Sequence, residues 1–131
     1  MKTFRLIDYL EHIQKATQEA MEFVETVSYD DFHKERMVQQ AVTMSLIIIG
    51  EVSAKISSEY PDFVQEHSEV PWAQMRGARN RMVHGYFDIN LDTVWNTAQS
   101  SLPILSEKIS GLLNKVIEIE DQKKQEPDLE L

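Results

Sequence analysis

Cysteine is absent from the 131 residues, which excludes a disulfide framework, a thiolate metal site and a cysteine nucleophile together. A long apolar run is also missing. The longest is Leu46-Ile47-Ile48-Ile49, far short of the roughly 20 residues needed to cross a bilayer. Met1-Lys2-Thr3-Phe4-Arg5 has no apolar stretch behind it and no cleavage site, so no signal peptide is expected. These three absences fit a cytoplasmic chain with no membrane partner. Positive charge is scarce: 13 lysines and arginines stand against 22 acids, a net charge of −9. That argues against a general nucleic-acid coat, which needs a broad positive surface. His12, His33 and His67 stand alone, with no second ligand at metal spacing. They read as surface residues, so neither a metal site nor a cofactor is expected. No internal repeat and no alternating strand pattern is found.

What remains is ordinary in bulk and uneven in detail. The length suits one domain with a real core, and 42% hydrophobic with 27% charged residues is usual for a globular chain. From Pro71 to Tyr86 there are three arginines and no acid, a local charge of +3; from Lys115 to Leu131, three lysines against six acids give −3. A small basic site on an acidic body suits a phosphate-bearing substrate or a basic protein partner.

Helical periodicity runs through most of the chain. Leu6, Leu10, Ile13, Ala20 and Val24 predict a helix from Phe4 to about Thr26, with Thr3 as its N-cap. Ser28 to Asp31 reads as a turn, with Asp30 or Asp31 capping a second helix from about Phe32 to Glu59. The middle of that helix, Ala41 to Gly50, is apolar on nearly every side and should be buried all round. Other helices can cover one face; a homodimer would cover the other. Gly50 would let a neighbouring backbone approach. Pro61 ends the helix, and Tyr60 to Val70 holds a turn with one short helical piece. Pro71 opens a third helix that Gly85 should stop just after His84. Asn90 or Asp92 caps the last helix, which Pro103 should kink or divide. Trp72 and Trp95 read as packing residues. The expectation is an all-α, up-and-down bundle of four to five helices over residues 1–117, followed by a charged, frayed tail over 118–131.

The window Arg76 to Tyr86 is the densest in side chains able to do chemistry. Arg76, Asn80 and His84 are four apart and share one stripe of the third helix. Arg79 lies about 140° round the helix from His84, so the pair meets only if the arginine reaches round the helix end or a second copy supplies one partner. Taken singly, His84 before a glycine also reads as a helix C-cap, and Arg79 as a surface ion-pair residue. Glu51, directly after an apolar run, should be buried and paired with an arginine of the third helix or with Lys55.

Arg79-Asn80-Arg81-Met82-Val83-His84-Gly85-Tyr86 resembles the Arg-x4-His-x-Tyr signature of HEPN-domain proteins, specifically the HepT-like toxins. Ile49-Gly50-Glu51, Pro71-Trp72, Val94-Trp95 and Leu102-Pro103 extend the resemblance, which covers roughly Phe4 to Val116. It implies a homodimeric HEPN-like fold and a metal-independent endoribonuclease, with the two motif helices lining a cleft at the dimer axis. It also implies a toxin of a type VII-like toxin–antitoxin module. The partner would be a minimal nucleotidyltransferase antitoxin that attaches adenylyl groups to Tyr86.

The residues suit that chemistry. RNA brings its own nucleophile, the 2′-hydroxyl. Histidine can serve as base or acid, and arginine forks onto phosphate oxygens. His84 and Arg79 are thus the expected catalytic pair. Asn80 and Glu51 are the expected supporting residues, and Arg76, Arg81 and Tyr86 the expected substrate contacts. The alternative is an inactive HEPN dimer that binds a nucleotidyltransferase or a nucleotide without cutting RNA.

Overall fold

The first long helix, α1 (Leu6–Val24), turns a continuous apolar stripe inward: Ile7, Leu10, Ile13, Ala16, Ala20 and Val24 are all buried. The computed structural model describes residues 5–125, and Thr3 lies outside them. Arg5 is the residue before the helix, and the Asp8 carboxylate accepts its backbone N–H at 3.0 Å, closing the first turn from one side.

A one-turn helix, α2 (Tyr29–Phe32), follows. The cap expected of Asp30 or Asp31 is Ser28, whose hydroxyl accepts the Asp31 N–H at 3.1 Å. Closing that turn drives Phe32 into the core, where it is fully buried. The chain must then turn again before the next helix can begin. The long α3 (Arg36–Glu59) therefore starts at Arg36 and not at Phe32.

α3 is the centre of the bundle, packed against α1 on one side and α5 (Trp72–His84) on the other. Val42, Leu46, Ile49 and Ile56 form its buried stripe, with Ser45 and Ser53 beside them. By length and composition this helix could cross a bilayer, yet it packs on two neighbours as a core helix does. Burial all round is not realised within one chain. Met37, Met44 and Ile48, at helical spacing, leave an outer stripe exposed at 82%, 57% and 36%.

Pro61 begins the short α4 (Pro61–Glu66), where its missing N–H costs nothing. Trp72 is buried at the start of α5, and its ring N–H donates to the His67 carbonyl at 2.9 Å. After α5 a single 3₁₀ turn (Tyr86–Asp88) leads to α6 (Leu91–Asn96), capped by Asn90, whose side-chain oxygen accepts the Thr93 N–H at 3.2 Å.

The break expected at Pro103 is a π-turn over Thr97–Ser101, just before α7 (Leu102–Gln125). Widening the turn relieves the clash between the proline ring and the carbonyl four residues back. α7 packs on α1 through Leu105, Ile109 and Leu112. It continues as helix through Gln125, past the frayed start expected at Glu118, and Glu120 lies 3.6 Å from Arg5. The rest of that tail lies outside the described residues. Among the described residues four long helices thus form an all-α bundle, and three short helices of four to six residues serve its connections.

Candidate active site

Gly50 decides where α5 sits. A Cβ there would lie 2.2 Å from the Arg79 Cβ and 2.6 Å from the Met75 carbonyl oxygen, so only glycine admits this approach. The close crossing places Arg79 beside Glu51, the next residue on α3. Arg79 Nε donates to Glu51 Oε2 at 3.0 Å, and Arg79 Nη1 donates to Asn80 Oδ1 at 3.0 Å. Two of its three nitrogens are thereby engaged, and Nη2 makes no hydrogen bond to a described residue. Glu51 pairs with an arginine of this helix, as expected, but it is not buried: its side chain is 47% exposed. An ion pair this open contributes little stability; what it does is hold the plane and direction of the guanidinium.

His84 is the last residue of α5. It is exposed and makes no hydrogen bond or ion pair among the described residues. Gly85 ends the helix, its N–H donating to the Arg81 carbonyl at 2.9 Å. It does so at φ −115°, not in the left-handed conformation usual for such a glycine. Space explains the residue here, since a Cβ would come within 2.9 Å of the Arg81 carbonyl. Beside His84 lies a hollow of about 470 Å³, lined by Arg81, Met82, Asp88 and Asn90 among others.

The remaining sequence-predicted residues separate. Arg76 is half-buried and donates from Nη1 to the Ser57 hydroxyl at 2.6 Å. It ties α5 to α3. Arg81 is exposed and unpaired among the described residues. Tyr86, in the 3₁₀ turn, is 62% exposed, its ring 4.2 Å from that of Phe87 at 33°. Asn80, Glu51 and Arg79 therefore form one cluster. His84 stands apart from it at the helix end, joined to none of the three by a hydrogen bond.

His33 is not the isolated surface residue its sequence context suggests. Its Nδ1 meets the Tyr29 carbonyl at 2.8 Å and its Nε2 meets Asp92 Oδ1 at 2.9 Å. The Tyr29 hydroxyl donates to the same Asp92 oxygen at 2.6 Å. Both partners of the imidazole are acceptors, an arrangement that favours the protonated ring. The Tyr29 carbonyl first, and Asp92 after it, raise the His33 pKa. The tyrosine hydroxyl and the imidazole lower that of Asp92, and Asp92 raises that of Tyr29. Fifty-nine positions separate His33 from Asp92 in sequence, and the packing of Phe32 and Tyr29 against Trp95 helps bring them together. Among the described residues, no group of three or more His, Asp or Glu side chains is placed to hold a metal ion.

An all-helical bundle whose α5 ends in an Arg-x4-His segment defines the chain as a HEPN-type protein. Within that class it belongs to the HepT-like ribonucleases: the family model described as ribonuclease HepT-like matches residues 13–112. A candidate RNase of Caldanaerobacter subterraneus subsp. tengcongensis is 36% identical over 115 residues, covering 88% of this chain and 98% of that protein. A candidate ribonuclease HepT of Thermococcus cleftensis is 35% identical over 105 residues, covering 80% and 93%. A candidate RNase of Methanocaldococcus jannaschii is 31% identical over 101 residues, covering 77% and 90%. No solved structure matches the chain significantly.

Proposed function

We propose that the protein is the toxin of a toxin–antitoxin pair in the cytoplasm, a metal-independent endoribonuclease whose working site is shared by two copies. The observation that carries this is a fixed guanidinium and an unengaged imidazole on one helix. Arg79 is aimed by Glu51 and Asn80 with Nη2 left over, and His84 is exposed five residues on.

The reaction needs nothing else of the protein but these two groups and a place for the RNA. A base removes the proton of the ribose 2′-hydroxyl. O2′ attacks the adjacent phosphorus, the P–O5′ bond breaks, and an acid protonates O5′. The products carry a 2′,3′-cyclic phosphate and a 5′-hydroxyl. His84 serves as base or acid. Arg79 binds the non-bridging oxygens, whose negative charge grows as phosphorus becomes pentacoordinate. Arg81, exposed beside His84, draws the RNA in.

A dimer joined through the exposed Ile48 of α3 and Val83 of α5 would set a second His84 near this site. Tyr86 has the exposure an adenylylating nucleotidyltransferase antitoxin needs. An adenylyl group there would add bulk and negative charge where the phosphate must bind.

The test is cleavage of RNA by purified protein with chelator present. Cyclic-phosphate ends should form with the wild type, and the rate should fall about 10²-fold or more with His84→Ala and with Arg79→Ala. Equal cleavage by wild type and His84→Ala would refute the assignment. Co-expression with a cognate nucleotidyltransferase should add adenylyl mass to the wild type and none to Tyr86→Phe. Docking of that partner with no cleavage at all would point instead to a binding module.

A further inference from the structure

A second hollow, of about 530 Å³, lies between α3 and the segment that follows His84. Nothing in the proposed reaction uses it. Arg36, Gln40 and Thr43 of α3 face Tyr86 and Phe87 across it, and Met82 and Ile89 belong to both this hollow and the one beside His84. The two spaces are therefore adjacent, divided by those two side chains.

Most of its lining is apolar, with Met44, Ile47 and Leu91 beside Met82 and Ile89, and the polar groups set among them are selective. The chain has 22 acids, yet no carboxylate lines this hollow. Arg36 has no ion pair among the described residues, and Gln40 is exposed with neither its amide nor its carbonyl engaged there. Phe87 is 84% exposed and backed by the Tyr86 ring, so one aromatic face is held in position yet open. An apolar protein surface laid here would bury a guanidinium and an amide without partners, which is costly. A nucleotide matches all three. Its base stacks on an aromatic face, its edge meets an amide that both donates and accepts, and its phosphate meets a guanidinium.

We infer that this hollow receives a nucleotide of the RNA next to the scissile phosphate, with the base on Phe87, its edge read by Gln40 and its phosphate on Arg36. The inference rests on the ribonuclease reading and names the part of the substrate that reading leaves without a seat. A strand lying with its scissile phosphate at His84 passes Met82 and Ile89 and enters this space.

Binding of fluorescent 2′-O-methyl oligoribonucleotides tests it. They lack the nucleophile, so binding is read whether or not the protein cuts. Phe87→Ala should weaken binding about tenfold, and Phe87→Tyr should restore it. Gln40→Ala should flatten any preference among oligomers of the four bases. Arg36→Ala should weaken all of them alike and reduce the salt dependence. All three side chains are exposed, so the variants should unfold at the wild-type midpoint. Unchanged binding in all three, while unmodified RNA is still cut and His84→Ala abolishes cutting, would overturn the subsite and leave the ribonuclease standing. Dissociation of a dimer by Phe87→Ala, with RNA binding intact, would mark the hollow as an interface between copies and equally overturn it. No cutting by the wild type, with binding lost in Phe87→Ala, would sink the ribonuclease reading while keeping the nucleotide site.

Discussion

At the scale of single residues, the site depends on a missing side chain. Glycine inside a helix costs about 1 kcal/mol relative to alanine, so Gly50→Ala should help α3 in isolation. In the bundle the new methyl meets the Arg79 Cβ and the Met75 carbonyl at 2.2 and 2.6 Å. Neither atom can move by a rotamer change, so α5 must shift. Overpacking of this kind costs about 1–3 kcal/mol and outweighs the gain in propensity. We expect Gly50→Ala to lower the urea midpoint and to slow RNA cleavage, because Arg79 rides on the displaced helix while its partner Glu51 stays on α3. An unchanged midpoint would mean that α3 and α5 do not meet at Gly50. Much of this was legible in the sequence: a glycine in an apolar helix followed by a carboxylate implied both a close approach and a partner for Glu51. What could not be read was exposure. The carboxylate sits at the edge of the helix crossing, and position along a sequence does not say how far an edge lies from solvent.

At the scale of elements, the helices were legible from periodicity, as were the junctions that Pro61, Gly85 and Asn90 mark, but the one before α3 was not. The α3 start illustrates why. Phe32 continues the apolar pattern of α3, so the pattern alone runs the two helices together, whereas burial of that ring requires a separate turn capped by Ser28. The same turn creates the Tyr29–His33–Asp92 clamp on α6, which no local signal announces. Its pH dependence follows from the two shifts. His33 is raised above its ordinary 6.5, so its contribution is complete below that value and is lost as pH rises through the raised one. Asp92 is lowered below its ordinary 3.8, so its contribution is complete above that value and is lost as pH falls through the lowered one. The clamp is therefore strongest in mildly acidic solution; Asp30, also near the ring, acts in the same direction on His33. The stability lost in His33→Ala should be greatest near pH 5 and should shrink as the pH rises through the raised His33 value, as read from urea unfolding at each pH. The His33 ring resonances should titrate at lower pH in Asp92→Asn than in the wild type. A stability difference that ignores pH would mean the imidazole is not held as a cation.

At the scale of the whole molecule, the arrangement of α5 bears on how many chains make one site. In the proposed reaction Arg79 and His84 would both lie within about 3–3.5 Å of one reacting phosphate group, yet they project about 140° apart round the helix. Arg79 is turned toward α3 by Glu51, while His84 stands free at the other end of the segment. Reaching round the helix would break the Glu51 contact that aims the guanidinium. A second copy avoids this by bringing its own His84 to the first copy's Arg79. Mixing two inactive variants distinguishes the cases. Arg79→Ala and His84→Ala, unfolded together and refolded in equal amounts, should give mixed dimers as about half of all dimers. Each mixed dimer carries one intact Arg79–His84 pair between chains and one pair with both members missing. If the pair works across the interface, the mixture regains about one quarter of wild-type cleavage, although each variant alone is inactive. If the pair works within one chain, every chain in the mixture lacks one member and no activity returns. The double variant Arg79→Ala/His84→Ala, mixed with wild type, supplies the control. Its mixed dimers hold no pair between chains, so shared sites lose activity beyond simple dilution, whereas sites within single chains lose only in proportion to the wild-type chains present.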